Sequence, residues 1–174
     1  MNQICINNSI IELFVGELIR ASYDAIVLNS NSRLLPSGDL RCKTLREAGS
    51  VVQVECNKIM LELSQIPLGG AVITSGGNLP SKHIIHCRAG HNAKNLMHAT
   101  WNSLKVADKN KFVSLLFPPL LRDYLSTTKC ANIMLTTIQK YILEKNRYLR
   151  NISICLETLP DYKDFELVLN QFSQ

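Results

Sequence analysis

The chain has 174 residues, of which 46% are hydrophobic, so it can bury one sizeable core but is too short for two ordinary domains. Lys and Arg total 19 against 14 for Asp and Glu, and the resulting formal charge of +5 gives a weak preference for anionic partners. No apolar stretch approaches the roughly 20 residues that a membrane span needs. We therefore expect a single domain over residues 1–174 with no membrane association.

The cysteines and the N-terminal residues indicate an intracellular protein, cytoplasmic or nuclear. The six cysteines form no C-x-x-C pair, and the opening "MNQICINNSIIEL" lacks the basic and apolar blocks of a signal peptide. We interpret the cysteines as reduced thiols. Cys87, Cys130 and Cys155 fall inside apolar runs, where a thiol behaves as a small hydrophobic group.

Short apolar runs alternate along the chain with longer helical stripes, a pattern typical of a sheet covered by helices on both faces. The predicted strands are Ile10–Val15, Ala25–Asn29, Gly70–Thr74, His83–Cys87, Phe112–Phe117 and Ile152–Leu156. The predicted helices are Leu40–Ala48, Val51–Ser64 with Ser50 as its cap, one from Ala93, one capped by Thr127 and Thr128, and Tyr162–Phe172. This predicts a three-layer α/β/α fold around a mixed sheet of about six strands.

Three phrases in the first half of the chain carry a family resemblance. They read "IIELFVGELIRASYDAIVLNSNSRL", "SGDLRCKTLREAG" and "GGAVITSGGNLPSKHIIHC", and together they resemble the macro domain, a module that holds ADP-ribose. The best-matching pieces are "DAIV", "REAG" and "LPSKHIIHC", which are largely scaffold. The resemblance implies the same α/β/α fold and ADP-ribose or a related adenine nucleotide as ligand, free or attached to protein, with no cofactor.

Loops that follow the strands of an open α/β sheet are where ligands bind, and three such loops stand out. The first is Gly16-Glu17-Leu18, where macro domains typically have "GDI" and the acidic residue accepts a hydrogen bond from the adenine amino group. The resemblance therefore implies that Glu17 and Leu18 hold the adenine. Without the family resemblance, we would interpret Glu17 as a solvated loop carboxylate.

The second loop, "LNSNSRLLPSGDL", leaves the predicted strand Ala25–Asn29. Aligned with the family phrase "VNAAN", it places Asn31 at the residue that bonds the distal ribose, although Asn and Ser after a strand are also turn formers. The glycine run "GGGV" of the family becomes Ser37-Gly38-Asp39-Leu40, which we expect to contact the diphosphate. Catalytic members often have Asp at the next position, where this chain has Arg41.

The third loop is the largest departure from the family. Where macro domains have a glycine-rich sequence around the diphosphate, this chain has Arg122-Asp123-Tyr124-Leu125-Ser126. Tyr124 and Leu125 are bulky enough to fill the groove, and Asp123 adds a negative charge beside a diphosphate. We expect Arg122 or Arg41 to offset that charge, because a guanidinium grips phosphate well.

Metal and nucleophile chemistry are weaker interpretations. His83 and His86 lie three residues apart on a predicted strand and would face opposite sides, which argues against zinc. His86 and Cys87 are adjacent on that strand, so they do not form a catalytic dyad. The basic stretch Lys140–Arg150 is a candidate nucleic-acid surface, although cations at a helix end more often form a solvated face.

Three functions stay open at this point, with a binding module favoured over an enzyme. The first is a divergent macro domain that binds ADP-ribose with weakened or altered affinity. The second is a macro-fold interaction module whose groove is closed by Tyr124 and Leu125, and which binds protein or nucleic acid elsewhere. The third is an ADP-ribosyl-ester or ADP-ribose-1''-phosphate hydrolase that uses Asn31 and a carboxylate, Asp39 or Asp123, as base.

Overall fold

The structure, a computed structural model, describes residues 1–173. Its strands are β1 Gln3–Ile6, β2 Ser9–Val15, β3 Ala25–Asn29, β4 Ala71–Ser75, β5 His83–Cys87, β6 Ser114–Phe117 and β7 Asn151–Leu156. Its α-helices are α1 Asp39–Ala48, α2 Ser50–Leu63, α3 Ala93–Lys109, α4 Thr127–Glu144 and α5 Leu159–Leu169, with short 3-10 turns at Leu18–Arg20 and Asn170–Ser173. The predicted α/β class is confirmed.

All seven strands form one mixed sheet in the order β1-β2-β7-β6-β3-β5-β4. The five central strands are parallel, while β1 and β4 are antiparallel edge strands. The prediction of about six strands omitted β1, which pairs with β2 through a tight turn at Asn7 and Asn8. Asn7 takes a positive φ of 52°, a conformation that asparagine tolerates better than most residues.

The sheet separates two hydrophobic cores, which gives the predicted three layers. One core joins the sheet to α3, α4 and α5 and includes Leu96, Met134 and Phe165. The other joins it to α1 and α2 and includes Leu45, Val52 and Cys56. The central strands are buried on both faces, which explains the apolar run Ala25–Leu28 in β3, and both β3 and β5 were predicted with the observed bounds.

Two predicted helix caps were wrong. Ser126, not Thr127 or Thr128, caps α4, and its hydroxyl accepts a hydrogen bond from the Lys129 amide. The cap position of α2 is Gly49 and not Ser50, because the break between α1 and α2 needs a positive φ of 89°. The final helix begins earlier than predicted, at Leu159, where Thr158 caps it.

Candidate functional site

The candidate cleft lies where the connections after two neighbouring parallel strands leave towards opposite faces of the sheet. β3 and β6 are neighbours, yet the chain leaves β3 towards α1 on one face and leaves β6 towards α4 on the other. The loops that follow them, 30–38 and 118–126, therefore diverge above the carboxyl ends of the strands. In open α/β sheets this is the crevice where ligands bind.

The loop after β2 carries Glu17 and Leu18 at the rim of this crevice. Leu18 is buried in the core beneath α1 and α2, whereas Glu17 is exposed. The Glu17 carboxylate lies 3.1 Å from Arg20 Nε and 3.5 Å from Lys43 Nζ. The hydrogen bond from Arg20 and the charges of Arg20 and Lys43 lower the pKa of Glu17, so it is ionised at neutral pH. Exposed pairs of this kind are weak, and an incoming donor can replace them.

Asn31 organises the loop after β3 with all of its side-chain hydrogen-bonding groups. Its Oδ1 accepts from the amides of Arg33 and Leu35, and its Nδ2 donates to the Leu35 carbonyl and to Ser37 Oγ. The loop includes Leu34 in the left-handed region with φ of 59°, a strained conformation for leucine. In this structure the Asn31 amide therefore shapes the loop, and a ribose hydroxyl would compete with the bonds to Leu35 or Ser37.

Ser37, Gly38, Asp39 and Leu40 form the start of α1 at the edge of the crevice. Gly38 has a positive φ of 69°, and α1 begins there without a side-chain cap. By contrast α3, α4 and α5 begin on capping side chains, and the other uncapped helix, α2, begins at the opposite end of the sheet. The first amides of α1 are therefore uncapped groups at the positive end of a helix dipole, which suits an anion.

Arg41 does not face the crevice, which corrects the expectation that it offsets phosphate charge. It is 3% exposed. Its Nε donates to the Leu35 carbonyl at 2.9 Å, one Nη donates to the Leu34 carbonyl at 2.9 Å, and the other lies 3.0 Å from His86 Nδ1. Arg41 thus fixes the strained turn of the loop from below.

His86 completes this buried chain of hydrogen bonds. Because its Nδ1 accepts from Arg41, its Nε2 carries the proton and donates to Thr74 Oγ1 at 2.8 Å, while Thr74 in turn donates to the Ser75 carbonyl. Burial, reinforced by the Arg41 charge, lowers the pKa of His86 to about 3, so the ring is neutral. His86 therefore has a structural role, because both of its ring nitrogens are hydrogen-bonded to buried side chains.

The loop after β6 carries the remaining predicted residues, and Tyr124 is not buried in the groove as the interaction-module hypothesis requires. Tyr124 is 59% exposed, and its ring lies 4.3 Å from that of His91. Leu125 packs against the core of α3, α4 and α5. The Asp123 side chain is exposed, and the Ser126 hydroxyl is used as the α4 cap.

Arg122 is also engaged elsewhere. Its guanidinium lies 2.9 Å from Asp161 Oδ2 in the first turn of α5, where the carboxylate is almost fully buried. Asp161 also accepts hydrogen bonds from Thr127 and Thr158, so it joins the loop after β6 to the starts of α4 and α5. Both guanidiniums that were expected to offset the diphosphate charge are therefore bonded to other groups.

Asn29, at the end of β3, has a role at this edge of the sheet that was not predicted. Its Nδ2 donates to the Leu120 carbonyl, and its Oδ1 accepts from the Ser30 and Ala89 amides. One side chain thus joins the ends of β3, β6 and β5 beneath the crevice. An asparagine at the last position of a buried strand was the available signal.

Sequence reasoning also missed the loop after β5, residues 88–92, which reaches the same edge of the sheet because β5 is parallel to β3. It supplies His91, the stacking partner of Tyr124. The signal was available, because a glycine and three polar residues lie among the five that follow a predicted buried strand. Within residues 1–173 there is no cluster of three or more metal-ligating side chains and no helix long and apolar enough to cross a membrane.

Comparison with known proteins settles the family. The sequence model of the Macro domain family matches residues 27–123, more than half of the chain. The chain belongs to the macro domain family. An uncharacterized protein of Saccharolobus solfataricus is 30% identical over 166 residues, which is 92% of each chain. An O-acetyl-ADP-ribose deacetylase of Escherichia fergusonii is 35% identical over 117 residues, or 63% of this chain and 66% of that one.

Solved structures confirm the macro domain fold over nearly the whole chain. A mutant macrodomain of Oceanobacillus iheyensis with ADPR superposes with a TM-score of 0.92 at 24% identity, and the match covers 98% of this chain and 97% of that one. The family match and this superposition confirm the resemblance drawn from the three phrases. The departures from the family sequence therefore lie in the loops of an intact macro domain scaffold.

Proposed function

We propose that this macro domain binds ADP-ribose, free or as a protein modification, in the crevice between β3 and β6. The observation that carries the proposal is the uncapped start of α1 at Gly38, which presents backbone amides to an anion. It lies where the connections after β3 and β6 leave towards opposite faces of the sheet. The likeness to a macrodomain solved with ADPR supports it.

Within this proposal the adenine lies at Glu17 and Leu18, and the distal ribose at Asn31. The diphosphate lies between the Ser37–Leu40 segment and the loop 122–126. Because Arg41 and Arg122 are engaged and Asp123 is exposed, backbone amides carry most of the phosphate contacts. Residues with a Cβ stand where the family has glycines, which limits how many backbone amides can turn towards the diphosphate, so we expect affinity weaker than that of a macro domain with intact glycine loops.

Binding of ADP-ribose is tested by isothermal titration calorimetry of the purified chain. We expect saturable heat for the wild type and a loss of affinity of about tenfold for Asn31→Ala, which removes one hydrogen-bonding side chain and loosens the loop. Asn31→Asp keeps the acceptor for Arg33 and Leu35 but replaces the two donated bonds with a negative charge, so we expect its loss of affinity for the anionic ligand to be at least as large. Asn57→Ala, on the exposed face of α2, is the matched control.

Two experimental results would contradict the proposal or a part of it. No heat and no thermal shift with millimolar ADP-ribose would overturn it. Equal affinity of the wild type and Asn31→Ala would still support ADP-ribose binding but would contradict the assignment of the distal ribose to Asn31.

Releasing Arg122 is expected to strengthen binding. Asp161→Asn removes the carboxylate that holds the guanidinium while its amide can still bond Thr127 and Thr158, so Arg122 becomes free to reach the diphosphate. We expect a several-fold gain in ADP-ribose affinity and a loss of about 1 kcal/mol in the free energy of unfolding. Titration calorimetry and urea denaturation measure the two effects, with Asp164→Asn as control. Unchanged affinity in Asp161→Asn would show that Arg122 does not reach the ligand.

Hydrolysis of an ADP-ribosyl ester is the second candidate, favoured by the 35% identity to a protein named O-acetyl-ADP-ribose deacetylase. Asp39 and Asp123 are exposed at the crevice and are the carboxylates available as base. Chromatographic detection of ADP-ribose released from O-acetyl-ADP-ribose tests it. Release that persists in both Asp39→Ala and Asp123→Ala would remove the mechanism.

A further inference from the structure

A second surface lies at the opposite end of the sheet from the crevice. Because β5, β6 and β7 are parallel to one another, the loops that precede them meet at one edge. These loops and the end of α3 carry six exposed cations, which we call the basic end: Lys82, Lys109, Lys111, Lys145, Arg147 and Arg150.

Hydrogen bonds from backbone amides hold the separate segments of the basic end together. The buried carboxylate of Asp108 in α3 accepts hydrogen bonds from the amides of Arg147 at 3.1 Å and Tyr148 at 2.7 Å. The Arg150 amide donates to the Val113 carbonyl at 2.8 Å. The 145–150 turn is therefore held against the end of α3 and against the segment that contains Lys111, so the cations from separate parts of the chain share a fixed arrangement.

The charges of the basic end are largely uncompensated. Asp108 is turned inward, and the Asp24 carboxylate accepts from the Val113 and Ser114 amides as well as pairing with Lys82 at 3.5 Å. Within residues 1–173 the other five cations form no ion pair, and besides Asp108 the last turns of α3 and α4 carry one carboxylate, Glu144. Such a surface attracts a polyanion.

An aromatic side chain lies among these cations. Tyr148 is 40% exposed, follows Arg147 directly and precedes Arg150 by two residues, and its backbone amide donates a hydrogen bond to Asp108. Cations that contact phosphates together with an exposed aromatic ring on which a base stacks are the combination that binds single-stranded nucleic acid. An acidic peptide would use the charges and leave the ring without a role.

We propose that the basic end binds single-stranded nucleic acid through its phosphates, with a base stacked on Tyr148. This site is separate from the crevice, and it does not depend on ADP-ribose binding. If about four phosphates are contacted, affinity falls about 50-fold between 50 and 200 mM salt.

Fluorescence anisotropy with a fluorescein-labelled 20-nucleotide oligo(dA) tests the proposal. We expect the triple variant Lys109→Gln, Lys145→Gln, Arg147→Gln to lose at least tenfold in affinity at 100 mM salt. The matched control removes three exposed cations elsewhere, Lys58→Gln, Lys94→Gln, Lys163→Gln, and is expected to stay within twofold of the wild type. Circular dichroism and thermal melting confirm that both triple variants are folded.

Tyr148 distinguishes nucleic acid from other polyanions. We expect Tyr148→Ser to weaken binding to the oligonucleotide about tenfold and Tyr148→Phe to leave it within twofold, because stacking needs the ring and not the hydroxyl. Equal losses in the two triple variants, no binding at 50 mM salt, or polyglutamate or duplex DNA bound as tightly as the single strand would each overturn the proposal.

Discussion

Replacing Arg41 with methionine is expected to lower the free energy of unfolding by about 3 kcal/mol. Methionine fills much of the same space but leaves the Leu34 carbonyl and His86 Nδ1 without their donor, and each buried polar group left unpaired costs about 1–3 kcal/mol. The Leu35 carbonyl loses its bond from Arg41 but keeps the one from Asn31 Nδ2. Removing a buried cation offsets part of this loss. Urea denaturation at pH 7.5 measures the change.

Two comparisons make the Arg41 experiment decisive. Arg41→Lys retains the charge but has one point donor in place of the planar guanidinium, so we expect an intermediate loss. Arg46→Met, on the exposed face of the same helix, is expected to change stability by less than about 0.5 kcal/mol. If Arg41→Met were as stable as the wild type, the buried guanidinium would contribute no net stabilisation.

The second large effect is a loss of stability on mild acidification, caused by His86. Its pKa is about 3 in the folded chain and about 6.5 when unfolded, so between these values the unfolded state binds the extra proton. Its contribution is complete above pH 6.5 and is lost as the pH falls towards 3. From pH 7.5 to pH 5 the expected loss from this residue is about 2 kcal/mol.

Variants assign the pH effect to His86. His86→Gln can accept from Arg41 and donate to Thr74 without titrating, so its unfolding free energy is expected to change little between pH 7.5 and pH 5. His98→Gln removes an exposed histidine of α3 and should retain the wild-type pH dependence. A wild-type slope that survives in His86→Gln would place the titrating group elsewhere.

The scaffold was predictable because its strands are buried on both faces. β3 begins with four apolar residues and β5 is buried over its last four, and their observed bounds match the predicted ones. β1 was missed because it has four residues, of which Ile4 is buried, and lies at an edge, where burial imposes a weaker pattern. The count of one domain for residues 1–174 stays a prediction.

The site was less predictable because its side chains depend on partners far away in sequence. Arg41 reads as an exposed cation near a helix start, and only the approach of His86, 45 residues later, explains its burial. Arg122 likewise depends on Asp161, which lies in α5. The positions of Asn31 and Gly38 followed from local sequence, since both act within their own turn.

Asn29 gives the crevice a floor and a rim with different mechanical properties. Its side chain fastens the ends of three strands together, so these strand ends move as one body. The conformational entropy that the protein loses on ligand capture therefore comes mainly from the parts of the rim loops beyond Ser30, Ala89 and Leu120, which Asn29 already holds. Sequence changes in those loops tune affinity without disturbing the floor, which explains how this macro domain tolerates such altered loops on an unaltered sheet.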